Sequence, residues 1–170
     1  MKIAVAHTWD GAAVSTAERV ELDVSLTPAG LKLSVDAPFH GDPAPSAPPG
    51  TLDGLWAHEV VELFVAGEDA EDYTEIELGP HGHVLVLRLC GVRRRLATVL
   101  GHQPEVARVG ERWVGRLVLP RHVLPARPAR FNAFAIHGVG AQRRYLAHSP
   151  LPGPVPDFHQ PERFPRLEVR

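Results

Sequence analysis

Apolar and polar residues alternate with a period of two along most of the chain, in short runs separated by proline and glycine. The alternation predicts strands near 2–6, 18–26, 30–37, 59–66, 73–78, 83–90, 92–99, 104–109, 112–119, 130–137 and 142–147. Leu31, Leu33 and Val35 interleave with Lys32, Ser34 and Asp36, the mark of a strand with one wet face. The run 59–66 differs, being apolar on both faces, and so reads as a central strand covered on both sides, with Glu59 exposed at its start. Gly79-Pro80-His81-Gly82 predicts a hairpin turn, and Val92 to Val99 is expected to continue the preceding strand around a bend at Gly91. No long stretch carries helical periodicity, and a single helical turn is expected near Pro120–Leu124. Many closely spaced short strands without intervening helices predict an all-β chain folded as an antiparallel β-sandwich. Pro43 to Pro49 cannot sit inside a sheet, because proline lacks the ladder donor, and it reads as a semi-rigid surface loop beside a site; Pro150 to Pro156 is a second such loop.

Charges on apolar strand faces are the informative exceptions. Glu62 lies between Val60 and Phe64, where a shielded carboxylate costs several kcal/mol unless it is paired or faces a polar cavity. Arg88 shares a face with Val84 and Val86, and Asn132 with Phe134 and Ile136. Two readings stay open: an internal Glu62–Arg88 pair with an amide partner, or a polar cluster at the base of a cleft, suited to sugar hydroxyls. Tyr73, Glu75 and Glu77 share one face of the next strand and, taken alone, read as a solvated face. Trp56 precedes the 59–66 strand and offers a flat apolar surface that can stack on a pyranose ring, or it serves as a core lid. Trp113, in an alternating strand, belongs to the core.

Length and charge narrow the class. A chain of 170 residues fits one domain spanning 1–170. A net charge of −2 provides no basic field for nucleic acid or membrane surfaces, and Arg93-Arg94-Arg95 reads as a solvated strand edge. One cysteine, Cys90, permits no internal disulfide, and in an apolar strand its thiol should be inert. The apolar stretch after Lys2 is too short for a signal-peptide core, and no run approaches a membrane span, so a cytoplasmic protein is expected.

Known catalytic patterns are weakly represented. The ten histidines include no helical pair and no zinc spacing. There is no Gly-x-Ser-x-Gly elbow and no phosphate loop, and a glycosidase carboxylate pair cannot be recognised without its separation. A non-catalytic protein is expected, with no cofactor required.

Three segments in series resemble the DOMON-like domains related to family 9 carbohydrate-binding modules. They are Gly54-Leu55-Trp56-Ala57-His58-Glu59-Val60-Val61-Glu62-Leu63-Phe64, then Tyr73-Thr74-Glu75-Ile76-Glu77-Leu78-Gly79-Pro80-His81-Gly82, and the ending Tyr145-Leu146-Ala147-His148-Ser149-Pro150 with Pro156-Asp157-Phe158-His159. The resemblance implies an immunoglobulin- or jelly-roll-like sandwich, of a group with many bacterial members, binding a small sugar or sugar derivative. Trp56 and Glu62 match the pattern best, and Arg88 and Asn132 fit by strand face. The implied ligand site comprises Trp56, Glu62, Tyr73, Glu75, Arg88, Asn132, Phe158 and His159. No second tryptophan closes an aromatic sandwich, which leaves Phe158 or Tyr145 for that place. Other DOMON domains bind haem, and the alternatives are haem or metal held by histidines such as His137 and His159, calcium, or a small sugar-active enzyme using Glu62.

Overall fold

The computed structural model describes residues 1–167. Thirteen strands follow in chain order: β1 (Lys2–Val5), β2 (His7–Thr8), β3 (Val20–Thr27), β4 (Gly30–Pro38), β5 (Gly50–Thr51), β6 (Val60–Gly67), β7 (Asp72–Leu78), β8 (His83–Cys90), β9 (Arg95–Thr98), β10 (Glu105–Val109), β11 (Arg112–Pro120), β12 (Pro128–His137) and β13 (Arg144–Ala147). One sheet has the order β1-β3-β4-β11-β10 and the other β2-β13-β12-β6-β7-β8-β5, with β9 also on β8. Every pairing is antiparallel except the short β5–β8 contact. The expected antiparallel β-sandwich is the observed fold.

Alternation decides which face each strand buries. In β3 and β4 the residues alternate between buried and exposed, so Leu22, Val24, Leu31, Leu33 and Val35 point inward while the polar partners stay wet. They meet Val61, Leu63, Val65, Ile76, Leu78, Val84, Val86, Phe131, Ala133 and Ala135 from the larger sheet, with Trp113 fully buried among them. Each such side chain contributes about 1.5–3 kcal/mol on burial. Strand β6 is buried along its whole length, as a central strand covered on both sides must be.

The second covering comes from the C-terminal segment. Leu151, Phe158 and Phe164 fold over the outer face of the larger sheet and pack on Val60, Phe64, Leu85, Leu87, Phe134 and Ile136. Phe158 stacks on Phe134 at a centroid distance of 3.9 Å. This outer layer hosts the site described below.

Two expectations are corrected. Val92 to Val99 does not continue β8: the chain reverses at Gly91–Arg94, with Cys90 N–H on the Arg94 carbonyl and Gly91 and Arg93 at positive φ, and β9 returns antiparallel along β8. Glu59 is buried rather than exposed, because its carboxylate accepts the backbone N–H groups of His40 and Asp42 at 3.0 and 3.3 Å and so anchors the start of the proline-rich loop. The two-residue strands β2 and β5 are too short to show periodicity. The turn near Pro120–Leu124 is present as a 3-10 turn at Arg121–Val123, and a further one occupies Leu55–Ala57. Gly30, the first residue of β4, sits at φ +147°, and a Cβ there would lie 2.0 Å from the Leu119 carbonyl oxygen.

Candidate functional site

A cavity of about 360 Å³ opens on the outer face of the larger sheet. Its floor is a row of strand residues: Ile136 from β12, Glu62 from β6, Glu75 from β7, and Leu87 and Leu89 from β8. Tyr145 of β13 and Arg95 of β9 extend the row. Above it stand Trp56 from the 3-10 turn, Arg93 from the β8–β9 turn, and Pro156, Phe158 and His159 from the C-terminal segment. Trp56 is 42% exposed and belongs to the rim, not the core. Arg143 fixes it by donating to the carbonyls of Trp56 and Ala57, with the guanidinium over the Tyr145 ring.

Three carboxyls meet at the floor. Glu62 and Glu77 are direct cross-strand partners, and Glu75 lies two residues along β7 on the same face. One oxygen from each lies within 4.8 Å of the others. All three are buried, so the solvated face expected for Tyr73, Glu75 and Glu77 is corrected: the C-terminal segment roofs it. Like charges placed opposite each other destabilise a sheet, and burial penalises them further. Burial pushes the Glu62 and Glu77 carboxyls well above the ordinary carboxylate range, each raised further by its acidic neighbours. Burial lifts Glu75 to about 7, against the pull of the adjacent Glu77 carboxyl and of the Arg93 and Arg95 charges. Burial therefore favours the protonated, uncharged form of all three carboxyls. Oε2 of Glu75 and both oxygens of Glu77 have no hydrogen-bond partner.

A hydrogen-bonded chain runs beside them. The Arg93 backbone N–H donates to the Tyr73 hydroxyl at 2.9 Å, and that hydroxyl meets His159 Nδ1 at 2.9 Å. With the hydroxyl proton assigned to Nδ1, the Nε2–H faces Glu75 Oε2 at 3.8 Å. Burial and the Arg93 charge hold His159 neutral down to about 4, and burial raises Tyr73 to about 12. Tyr73 does not line the cavity; it orients His159.

The eight sequence-derived residues thus divide. Trp56, Glu62, Glu75, Phe158 and His159 line the cavity, and Tyr73 supports it. Arg88 and Asn132 are corrected. Arg88 points to the opposite face of the sheet, where it pairs with Asp72 at 2.9 Å and the His122 carbonyl at 3.2 Å, so no Glu62–Arg88 pair exists. Asn132 shares the Glu62 face, but its amide is spent on the backbone: Nδ2 donates to the Ser149 carbonyl, and Oδ1 accepts from Ser149 and Ala133 N–H. Arg93 and Arg95, read as a solvated edge, border the cavity and pair with Asp157 and Asp53, each at 2.8 Å. Their signal was the length of the turn after Gly91, which brings the arginines back over the sheet.

Among the described residues, the one set of three potential metal-ligating side chains within mutual reach is Glu62, Glu75 and Glu77. His137 and His159 occupy different places. His137 bonds Glu18 at 3.0 Å and stacks on His40 at 3.5 Å, whereas His159 sits at the cavity. No helix among the described residues is long and apolar enough to cross a membrane.

No protein-family model matches the chain. In overall fold it is similar to the crystal structure of a "putative carbohydrate-binding protein" from Bacteroides uniformis, with a TM-score of 0.74 and 16% identity, covering 96% of this chain and 84% of that one. By sequence it is 41% identical to the UPF0462 protein C4orf33 homolog of Rattus norvegicus, over 96% of this chain and 86% of the relative. It is 38% identical to the UPF0462 protein C4orf33 of Homo sapiens, at the same coverage, and 37% identical to the Danio rerio homolog, over 96% and 87%. These relatives are vertebrate, so the bacterial expectation has no support, and none of the matches carries the DOMON or family 9 description. At this identity over nearly its whole length, the chain belongs to the UPF0462 family.

Proposed function

We propose that the chain binds a small carbohydrate in the cavity over β6, β7 and β8. The observation that carries this reading is the pairing of Trp56, 42% exposed at the rim, with the buried carboxyls of Glu62 and Glu75 on the floor. A pyranose has one CH-rich face suited to an aromatic surface and an edge of hydroxyls suited to carboxyl oxygens. Tyr145 and Phe158 supply the further aromatic surface for which the sequence offers no second tryptophan. The shared fold with a carbohydrate-binding-like protein agrees with this reading. Binding fits better than hydrolysis: a glycosidase flanks the scissile bond with two carboxyls across a cleft, whereas Glu62 and Glu75 rise from adjacent strands of one floor.

The test is a thermal-shift screen with mono- and disaccharides, repeated with Trp56→Ala. A sugar at 100 times its dissociation constant adds about 2.7 kcal/mol, which raises Tm by roughly 5–10 °C for a domain of this size. A shift lost in Trp56→Ala is the expected result. An unmoved Tm across the sugar panel would remove carbohydrate binding from consideration.

A further inference from the structure

We propose that this cavity selects a ligand carrying a protonated amine, an amino sugar on the carbohydrate reading above, with its ammonium group seated on Glu62 and Glu75 and with Glu77 behind them. The inference rests on that reading for the sugar ring and on separate observations for the amine.

The first observation is uncompensated acid. Every cation near the triad is already engaged: Arg93 with Asp157, Arg95 twice with Asp53, and Arg143 with the carbonyls of Trp56, Ala57 and Gly138. His159 is held neutral by burial. Glu75, only 4% exposed, therefore lines the cavity with a buried oxygen, Oε2, that no group of the protein satisfies. Glu77, fully buried behind it, has neither oxygen bonded. An orphaned buried acceptor is costly, and the natural partner for several at once is a group with several donors and a positive charge.

The second observation is geometric. A tetrahedral ammonium donating at about 2.8 Å spaces its acceptors about 4.6 Å apart. The triad, with one oxygen from each carboxyl within 4.8 Å of the others, accommodates that spacing. The third is the aromatic lining. Trp56, Tyr145 and Phe158 border the cavity, an aromatic lining that suits a cation, and the cavity is far larger than an ion needs.

Seating a cation requires ionised carboxyls, so binding expels protons that the empty site holds. The groups that set this balance are Glu62 on β6, Glu75 and Glu77 on β7, Arg93 and the Arg95–Asp53 pair from the β8–β9 hairpin, Asp157 and His159 from the C-terminal segment, and Arg143 ahead of β13. Amine affinity should rise with pH from about 5 to 6.5, a window below the titration of a sugar amine, while affinity for a neutral sugar should not.

The experiment is titration calorimetry of the full chain with glucosamine, N-acetylglucosamine, glucose and propylamine, in two buffers of different ionisation enthalpy. Glucosamine is expected to bind at least about tenfold tighter than glucose, with proton release, and N-acetylglucosamine to lose that advantage. Glu75→Gln is expected to abolish the preference and the proton release; Glu62→Gln, checked for an intact melting transition, provides the second variant. Glucose and glucosamine binding alike overturns the inference and leaves the carbohydrate reading standing. Propylamine matching glucosamine overturns the carbohydrate reading and leaves the ammonium seat. Binding of calcium or manganese alone, lost in the same variants, makes the triad a metal site and overturns the inference.

Discussion

Replacing Glu75 by Gln removes a buried carboxyl and keeps its shape, which makes the cost of that carboxyl measurable. The group loses its proton near its ordinary value of 4.5 in the unfolded chain and at about 7 in the folded one. Between those limits the native state binds more protons than the unfolded state, so stability falls as pH rises. At 1.36 kcal/mol per pH unit the span amounts to about 3 kcal/mol, all of it lost by pH 8 and none at pH 4.5. The wild-type curve alone cannot isolate this, because His159 works in the opposite sense. Its folded value near 4 lies below its ordinary 6.5, so its contribution makes stability rise with pH across that interval. The difference between the two proteins cancels His159. Urea denaturation of both from pH 4.5 to 8.5 should show near-equal stability at the acid end, with Glu75→Gln gaining about 3 kcal/mol over wild type as pH passes 7. A difference independent of pH, or a variant less stable at pH 8, would refute the picture of an uncompensated buried carboxyl.

Asn132→Ala leaves the Ser149 N–H and carbonyl and the Ala133 N–H without their side-chain partners. It should cost about 2 kcal/mol and lower Tm by roughly 4–8 °C, read by calorimetry; an unchanged Tm would show that the amide does not anchor the Ser149 segment. Tyr73→Phe keeps the packing but orphans the Arg93 N–H and His159 Nδ1. Chemical denaturation should show a loss of about 1–3 kcal/mol, and a neutral result would mean the hydroxyl does not hold the roof.

Long strands were legible because each carries enough residues for alternation to show which side chains share a face. Alternation within one strand does not give the register to the next, however. Glu62 and Arg88 each interrupt an apolar face, yet the two faces lie on opposite sides of one sheet. The same limit hid the triad. Tyr73, Glu75 and Glu77 look solvated in their own strand, and they are buried by Phe158 and Phe164, more than eighty residues onward, a covering that no local pattern announces. Trp56, Glu62, Glu75, Phe158 and His159 were recoverable from the motif series. Arg93 and Arg95 required the reversal after Gly91, which depends on positive φ at Gly91 and Arg93.

The arrangement of short strands around β8 bears on how the protein behaves in a crowded solution. A bare sheet border is a template on which another chain can lay down a strand of its own. Here β5 covers His83 and Val84, and β9 covers Leu87 to Leu89, so the border of β8 is divided between two caps of two and four residues. At the far border, β2 offers a ladder of only two residues. An incoming strand finds no stretch at either border long enough to nucleate on, and the larger sheet can carry an open cavity on its face without inviting growth at its sides.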